Sequence, residues 1–451
     1  MTILHFAAVL LPTGWTGDVR VTVAGGLITD IVSGAQPEIG DERHAIAIPG
    51  MASLHSHAFQ RGMAGLAESR GRSTDTFWTW RETMYRFALA MTPDDVLAVA
   101  TLLYIEMLER GFTRVGEFHY LHHDRDGTAY VNPAEMAVQI AHAAAASGIG
   151  LTLLPCFYAH GGFGGAAPRP EQRRFICSID QYARLIEASR ESIRTLPGAN
   201  LGIAPHSLRA VTPDELMAIE PLFGGGPVHI HVAEQIREVD DCLAWSGRRP
   251  VQWLLDHADV NQRWCLIHAT HMTDTEIAAL AASGAVAGLC PITEASLGDG
   301  TFPARDYITA NGRIGIGTDS NVLIGVTDEL RQLEYGQRLQ CRERNVLARD
   351  GHSTGRALFD LALTGGAQAL AQPLAGLQVG AAADMATLDP THPSLAGRRG
   401  DAILDGWIFA TSHGVIDCVW ARGTKVVEGG RHPLRQRARA KFNDRVRRLV
   451  A

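Results

Sequence analysis

Two histidines separated by one residue, His55 and His57, follow the apolar run at residues 45–51. On a strand, side chains two apart point to the same side, so both imidazoles can reach one cation. Alone, the pair reads more readily as two ordinary polar residues at a strand end. Three later features change that reading: His231 with Glu234 three residues on, His268, and Asp319 within Gly317-Thr318-Asp319-Ser320. His55, His57, His231 and Asp319 would offer one divalent cation three imidazole nitrogens and a carboxylate oxygen. Zinc suits this donor set, with water in an open fifth position. Bound zinc lowers the pKa of that water towards neutrality and so supplies hydroxide. His268 and Asp319 are expected to accept its proton, and Glu234 to relay a proton to a substrate nitrogen. His229 shares a face with His231, but only His231 has the three-residue spacing to Glu234, so His229 is read as interior filling. His119, His122, His123, His160 and His271 receive no role.

These residues need a scaffold that gathers strand ends. The middle of the chain alternates strand-like apolar runs with helical stretches, among them 93–110, 133–147, 179–195 and 274–283, which predicts βα units around a parallel sheet. Eight strand candidates end near His55, His119, Cys156, His206, His231, His268, Cys290 and Asp319. Eight repeats over about 320 residues predict a (β/α)8 barrel spanning 49–372, with polar residues at the C-terminal strand ends where barrel sites lie. A doubly wound sheet would not bring the first, fifth, sixth and eighth strands to one point. The two chain ends share a strand-and-turn texture, at 4–11, 19–23, 27–32 and 45–48 and again at 383–388, 414–421 and 424–427. They are expected to pair as one small β-domain made of 1–48 and 373–451, with a surface helix over 434–450. Two long loops are expected, 59–92 with Trp78, Trp80, Arg81, Tyr85 and Arg86, and the glycine-rich 160–174. Gly161-Gly162-Phe163-Gly164-Gly165 matches no phosphate-binding pattern, and a closing lid and a plain surface excursion both remain open readings.

The bulk composition sets outer bounds. The chain has 451 residues, 46% hydrophobic and 20% charged, with a net charge of −7. That balance gives no reason to expect a nucleic-acid surface or a basic membrane patch. The longest apolar stretches are strand-sized, and residues 1–14 lack a basic region ahead of their apolar run, so a cytoplasmic protein without membrane or nucleic-acid partners is expected. Seven scattered cysteines without a C-x-x-C pair argue against disulfides or a thiolate zinc site.

The set Pro49-Gly50-Met51…His55-x-His57, His231-x-x-Glu234, His268 and Asp319 resembles the amidohydrolase superfamily, and the H-x-x-E motif its deaminase branch. The resemblance implies a barrel flanked by a β-sandwich built from both termini. Some members bridge two metals with a carboxylated lysine, but the only lysines here are Lys425 and Lys441. One metal ion per subunit follows, zinc before iron.

The substrate is read from cations near this site. Arg209, in Ala204-Pro205-His206-Ser207-Leu208-Arg209, follows a strand end on the catalytic face. A buried arginine there suits bidentate carboxylate binding. Arg81 and Tyr120 would hold further carboxylate oxygens, and Gln60 would support the reacting amidine. Purine-type deaminases with a similar Pro-His-Ser tend to have an aromatic or small residue at the Arg209 position.

Four stretches carry a narrower resemblance: residues 54–61 (Leu-His-Ser-His-Ala-Phe-Gln-Arg), 116–120 (Gly-Glu-Phe-His-Tyr), 172–175 (Gln-Arg-Arg-Phe) and 293–300 (Thr-Glu-Ala-Ser-Leu-Gly-Asp-Gly). They are similar to the formimidoylglutamate deiminases of bacterial histidine degradation. The resemblance implies hydrolysis of N-formimino-L-glutamate to N-formyl-L-glutamate and ammonia, with metal-bound hydroxide attacking the formimino carbon. It makes Gln60, Arg81, Tyr120, His206 and Arg209 the substrate residues of a small-molecule dicarboxylate enzyme, and implies a homodimer. The competing readings are an aminohydrolase or chlorohydrolase acting on a purine, pyrimidine or triazine ring, and a barrel that has lost catalysis. Arg209 speaks against the first, and the complete ligand set with Glu234 against the second.

Overall fold

The structure, a computed structural model, describes residues 1–70, 75–412 and 414–451. Four strands open the chain, β1 (Thr2–Leu11), β2 (Gly14–Ala24), β3 (Leu27–Ser33) and β4 (Glu42–Pro49). Nine parallel strands follow: β5 (Met51–Ser56), β6 (Phe112–His119), β7 (Gly150–Phe157), β8 (Asn200–Leu201), β9 (Ala204–Pro205), β10 (Val228–Val232), β11 (Trp264–His268), β12 (Val286–Leu289) and β13 (Arg313–Ile316). The last three are β14 (Met385–Leu388), β15 (Ile416–Ala421) and β16 (Thr424–Val427).

The two chain ends meet in one seven-stranded sheet, ordered β16-β15-β14-β4-β1-β2-β3. In β2, Val19, Val21 and Val23 are buried at every second position, as a sheet with one covered face requires. They join Leu4, Phe6, Ile28, Met385 and Trp420 in a separate core. The sheet therefore curls until strands from its two edges share one interior. The edge strand β3 also meets the segment before β14, where Ile28 N donates to Ala381 O at 2.9 Å.

In β5, β6 and β7 every residue is buried, the signature of parallel strands covered on both faces. One parallel sheet runs β5-β6-β7-β8, with β9 also on β7, and a second runs β10-β11-β12-β13. Single parallel bridges join them, Ser56 with Asp319 at one seam, and Ile203 with Val228 and Ser207 with His231 at the other. The fourth expected strand is observed as two short pieces, β8 and β9, that bond to neighbours on both sides. Gly202 N donates to Leu153 O on one side, Ile203 N to Pro227 O on the other. The eight expected strand ends fall within three residues of those observed.

The expected loop at 59–92 is more ordered than the sequence reading implied. It contains a 3-10 helix, Ala58–Met63, and a 14-residue α-helix, Phe77–Ala90. Thr76 and Thr79 cap the α-helix reciprocally, satisfying amide groups at its start. Trp78, Trp80, Arg81, Tyr85 and Arg86 therefore ride on one helix, while residues 71–74 lie outside the described residues. The 160–174 segment holds one antiparallel bridge, Gly162 with Ala166, and a short 3-10 turn, Pro170–Gln172. The tail forms the helix Arg435–Val450. Among the described residues no single helix is long and apolar enough to cross a membrane.

Candidate active site

β5 delivers His55 and His57 to the same side, and the ends of β10, β11 and β13 deliver His231, His268 and Asp319. One ligand atom each from His55, His57, His231 and Asp319 lies within 4.8 Å of every other, and all four residues are buried. His55 Nε2 is 3.1 Å from His231 Nε2 and 3.4 Å from Asp319 Oδ1, and His57 Nε2 is 3.3 Å from the same oxygen. His57 Nδ1 lies 2.8 Å from Phe118 O, and His231 Nδ1 lies 2.9 Å from His206 O. A carbonyl only accepts, so each Nδ1 carries the hydrogen. In the neutral ring the Nε2 lone pair then faces the cluster. Burial, joined by the neighbouring imidazoles, holds His55 and His231 well below the ordinary histidine range, and burial lowers His57 as well. Separations of 3.1–3.4 Å match the edges of a coordination shell with bonds of about 2.1 Å. The donor set fits a single divalent cation. A second grouping, His268 with Cys290 and Asp319, fits less well because burial drives the Cys290 thiol far up. His229 instead meets Ala369 O at 2.8 Å in the interior, as its filling role implied.

The backbone around this cluster is unusual. Ala233, His268, Ala269 and Asp319 all have positive φ, at 51°, 68°, 47° and 40°. Such conformations cost non-glycine residues on the order of 1–3 kcal/mol each and persist where the surroundings over-determine them. Two side chains that the sequence reading passed over do this. Glu238 accepts from the backbone amides of Ala233 (3.3 Å) and Glu234 (3.0 Å). The Asn321 amide donates to Asp319 O (2.7 Å) and His57 O (3.2 Å), tying the first and last strand ends together. A second glutamate four residues beyond Glu234 was the available signal for the first. Nothing local marks Asn321.

Glu234 and His268 stand beside the metal candidates. His268 Nε2 is 3.7 Å from Glu234 Oε1 and 3.8 Å from Asp319 Oδ2. Burial raises the Glu234 carboxyl to about 7, although His268 and Arg209 pull it back. Burial opposes charge on His268, but Glu234, Glu294 and Asp319 outweigh it and push the ring up to about 10.

A cavity of about 750 Å³ opens over this group, and every candidate site residue except His55 lines it. Gln60 Nε2 donates to the Tyr120 hydroxyl at 2.7 Å, leaving Gln60 Oε1 buried without a partner. His206 packs against Tyr158 with the two rings tilted by 57° and their centroids 4.5 Å apart. The Arg81 guanidinium lies 4.5 Å from the Trp78 ring centre, and that of Arg209 lies 5.9 Å from the same ring. Both have a buried Nε without a partner. Burial lowers Arg81, and the charge of Arg209 adds to that effect. Arg209 is opposed by burial but raised overall by the Glu238 and Glu234 carboxylates. The structure thus brings every predicted site residue except His55 to one cavity, and places His55 among the ligand atoms beneath it.

A family profile described as "Amidohydrolase family" matches residues 46–426, and one described as "Formimidoylglutamate deiminase HutF, N-terminal domain" matches residues 1–45. The chain belongs to the amidohydrolase family, hydrolases acting here on C–N bonds. Within that family it is a homologue of a formimidoylglutamate deiminase from Pseudomonas aeruginosa, 50% identical over 98% of both chains. A crystal structure of an amidohydrolase from Brucella melitensis, 59% identical, superposes with a TM-score of 0.98 over 100% of both chains. An adenosine deaminase from Xanthomonas campestris with bound zinc, 21% identical, shares the fold at a TM-score of 0.80 over 99% of this chain and 98% of that one.

Proposed function

We propose that the protein hydrolyses N-formimino-L-glutamate to N-formyl-L-glutamate and ammonia. The observation that carries this reading is the pair Arg81 and Arg209. Two guanidinium groups with unpartnered N–H face the same cavity as the His/Asp cluster, and a dicarboxylate would neutralise both. The 50% identical deiminase from Pseudomonas aeruginosa supports it.

His55, His57, His231 and Asp319 would hold one divalent ion, zinc by donor type. When bound, it supplies a water whose pKa is lowered towards neutrality. The remaining chemistry belongs to the protein. Arg81 and Arg209 grip the substrate carboxylates, with Tyr120 and His206 completing that wall, and Gln60 Oε1 accepts from the amidine N–H. Asp319 Oδ2 accepts a proton, His268 Nε2 would do so once the charge of a bound cation offsets the carboxylates that otherwise hold the ring protonated, and Glu234 hands one to the departing nitrogen. The aromatic residues Phe77, Trp78 and Tyr85 exclude water around these charges.

The same reading carries several finer expectations. The two parallel sheets form one (β/α)8 barrel over 49–372, supported by the single bridges at both seams. The curled terminal sheet, from 1–48 and 373–451, is a β-sandwich, supported by its separate core. The enzyme acts in histidine degradation in the cytoplasm as a homodimer, without nucleic-acid or membrane partners. The 160–174 segment, which contributes Phe163 and Arg169 to the cavity, acts as a lid.

Reaction in ¹⁸O-labelled water tests the chemistry. One ammonia per substrate and one labelled oxygen in N-formylglutamate are expected. Recovery of unlabelled product, or of glutamate and formamide, would contradict it.

A further inference from the structure

We infer that Glu294 is a positioning residue for His268, fixing which ring nitrogen faces Glu234 and Asp319. The inference rests on the proton-handling role given to His268 above.

His268 ends β11 in the left-handed region and is followed by a second such residue, Ala269. Backbone geometry of this kind needs side-chain contacts to set where the ring points. One contact stands out. His268 Nδ1 lies 3.2 Å from Glu294 Oε1, and that oxygen also accepts the Cys290 amide at 2.8 Å. Both side chains are buried, His268 at 1% and Glu294 at 5% exposure, so bulk water is a poor replacement partner. A carboxylate only accepts, so it selects the ring state with hydrogen on Nδ1. Nε2 is then the nitrogen turned towards Glu234 Oε1 and Asp319 Oδ2, and it has no hydrogen bond of its own.

The neighbouring residue extends the device. Thr293 Oγ1 accepts the Ser320 amide at 3.2 Å and lies 2.9 Å from Ser320 Oγ, holding the turn that carries Asp319. The short helix Pro291–Leu297 therefore fixes both His268 and the Asp319 turn relative to each other. If Glu294 only capped this helix, through Cys290 N–H, its loss would weaken the fold but leave turnover per folded, metal-loaded molecule unchanged.

The test uses the full-length, zinc-loaded protein with formiminoglutamate, comparing Glu294→Ala, Glu294→Gln and His268→Asn. Zinc per chain, Tm, kcat and KM are measured for each. Glu294→Ala should lower kcat by about tenfold or more, with KM within about twofold and one zinc retained. Glu294→Gln should recover most of that loss, because its amide oxygen can accept from both Cys290 and His268. A kcat for Glu294→Ala within about twofold of the parent, while His268→Asn loses far more, would overturn the inference alone. Parental kcat in His268→Asn would overturn the underlying reading of His268 as well. If Glu294→Ala does not fold, Glu294→Asp decides. The shorter side chain withdraws the oxygen from His268, so kcat should fall with KM held, and an unchanged kcat would overturn the inference.

Discussion

Arg209 Nη2 stands 3.8 Å from Glu234 Oε2, so the arginine assigned to substrate recognition also borders the carboxyl assigned to proton delivery. With 12% of its side chain exposed, Arg209 is neither a surface charge nor a conventional buried ion-pair partner. Its Nε has no partner, and its nearest rings are Phe77 and Trp78. On the proposed roles, substrate binding and proton transfer would share a charge.

Arg209→Met should lose about 1.5–3 kcal/mol in kcat/KM, the size of a charge-assisted hydrogen bond, with KM bearing much of the change. Metal content should remain one ion per chain, because Arg209 contacts none of the ligand atoms. Loss of zinc from this variant, measured by elemental analysis, would show that Arg209 supports the metal centre instead.

Glu234→Gln should keep the metal and lower kcat by about 10²–10⁴-fold, as expected for removal of a general acid–base group. KM should move little. Steady-state kinetics checks this, and a kcat near the parent value would remove Glu234 from the proton path.

Chelation should abolish turnover, and added zinc should restore it. At free zinc about 100-fold above its dissociation constant, the ion adds about 2.7 kcal/mol of stability, so Tm should rise on reloading. In His57→Ala neither the activity nor the Tm increment should return.

Arg174 is fully buried, and it donates to three backbone carbonyls, His123 O (2.8 Å), Ala88 O (2.6 Å) and Met91 O (2.7 Å). It thereby ties the end of the Phe77–Ala90 helix, which carries Arg81, to the body of the protein. Arg174→Met removes a charged donor from all three carbonyls and should destabilise the fold by about 2–4 kcal/mol. KM should rise as Arg81 loses its mounting. Denaturant unfolding and kinetics on the folded fraction check both parts.

The metal candidates were legible in sequence because strand geometry turns an i, i+2 spacing into a shared face, and because His231 and Glu234 lie three residues apart. Arg209 was legible for a similar reason, as a charge just past a strand end. Glu294 was visible only as part of a resemblance, since its partner His268 is 26 residues away and no local pattern joins them. Arg174 was hidden likewise, because the carbonyls it serves, at residues 88, 91 and 123, lie 51 to 86 positions away and no local pattern joins them. The Phe77–Ala90 helix was read as loop. Its aromatic and charged face points into a cavity, so the usual apolar stripe is blurred, although Thr76 and Thr79 carried a capping signal. The curling of the terminal sheet gathers residues some 400 positions apart, such as Val21 and Trp420, into one core, which periodicity cannot report.

The central claim is the substrate, and ammonia release from zinc-loaded protein tests it most directly. kcat/KM should be measured for formiminoglutamate, adenosine and guanine under identical conditions. Formiminoglutamate is predicted to exceed both purines by at least about 10³-fold, because a site built around paired charges rejects ligands that leave them unmatched. Turnover of a purine without turnover of formiminoglutamate would contradict the account.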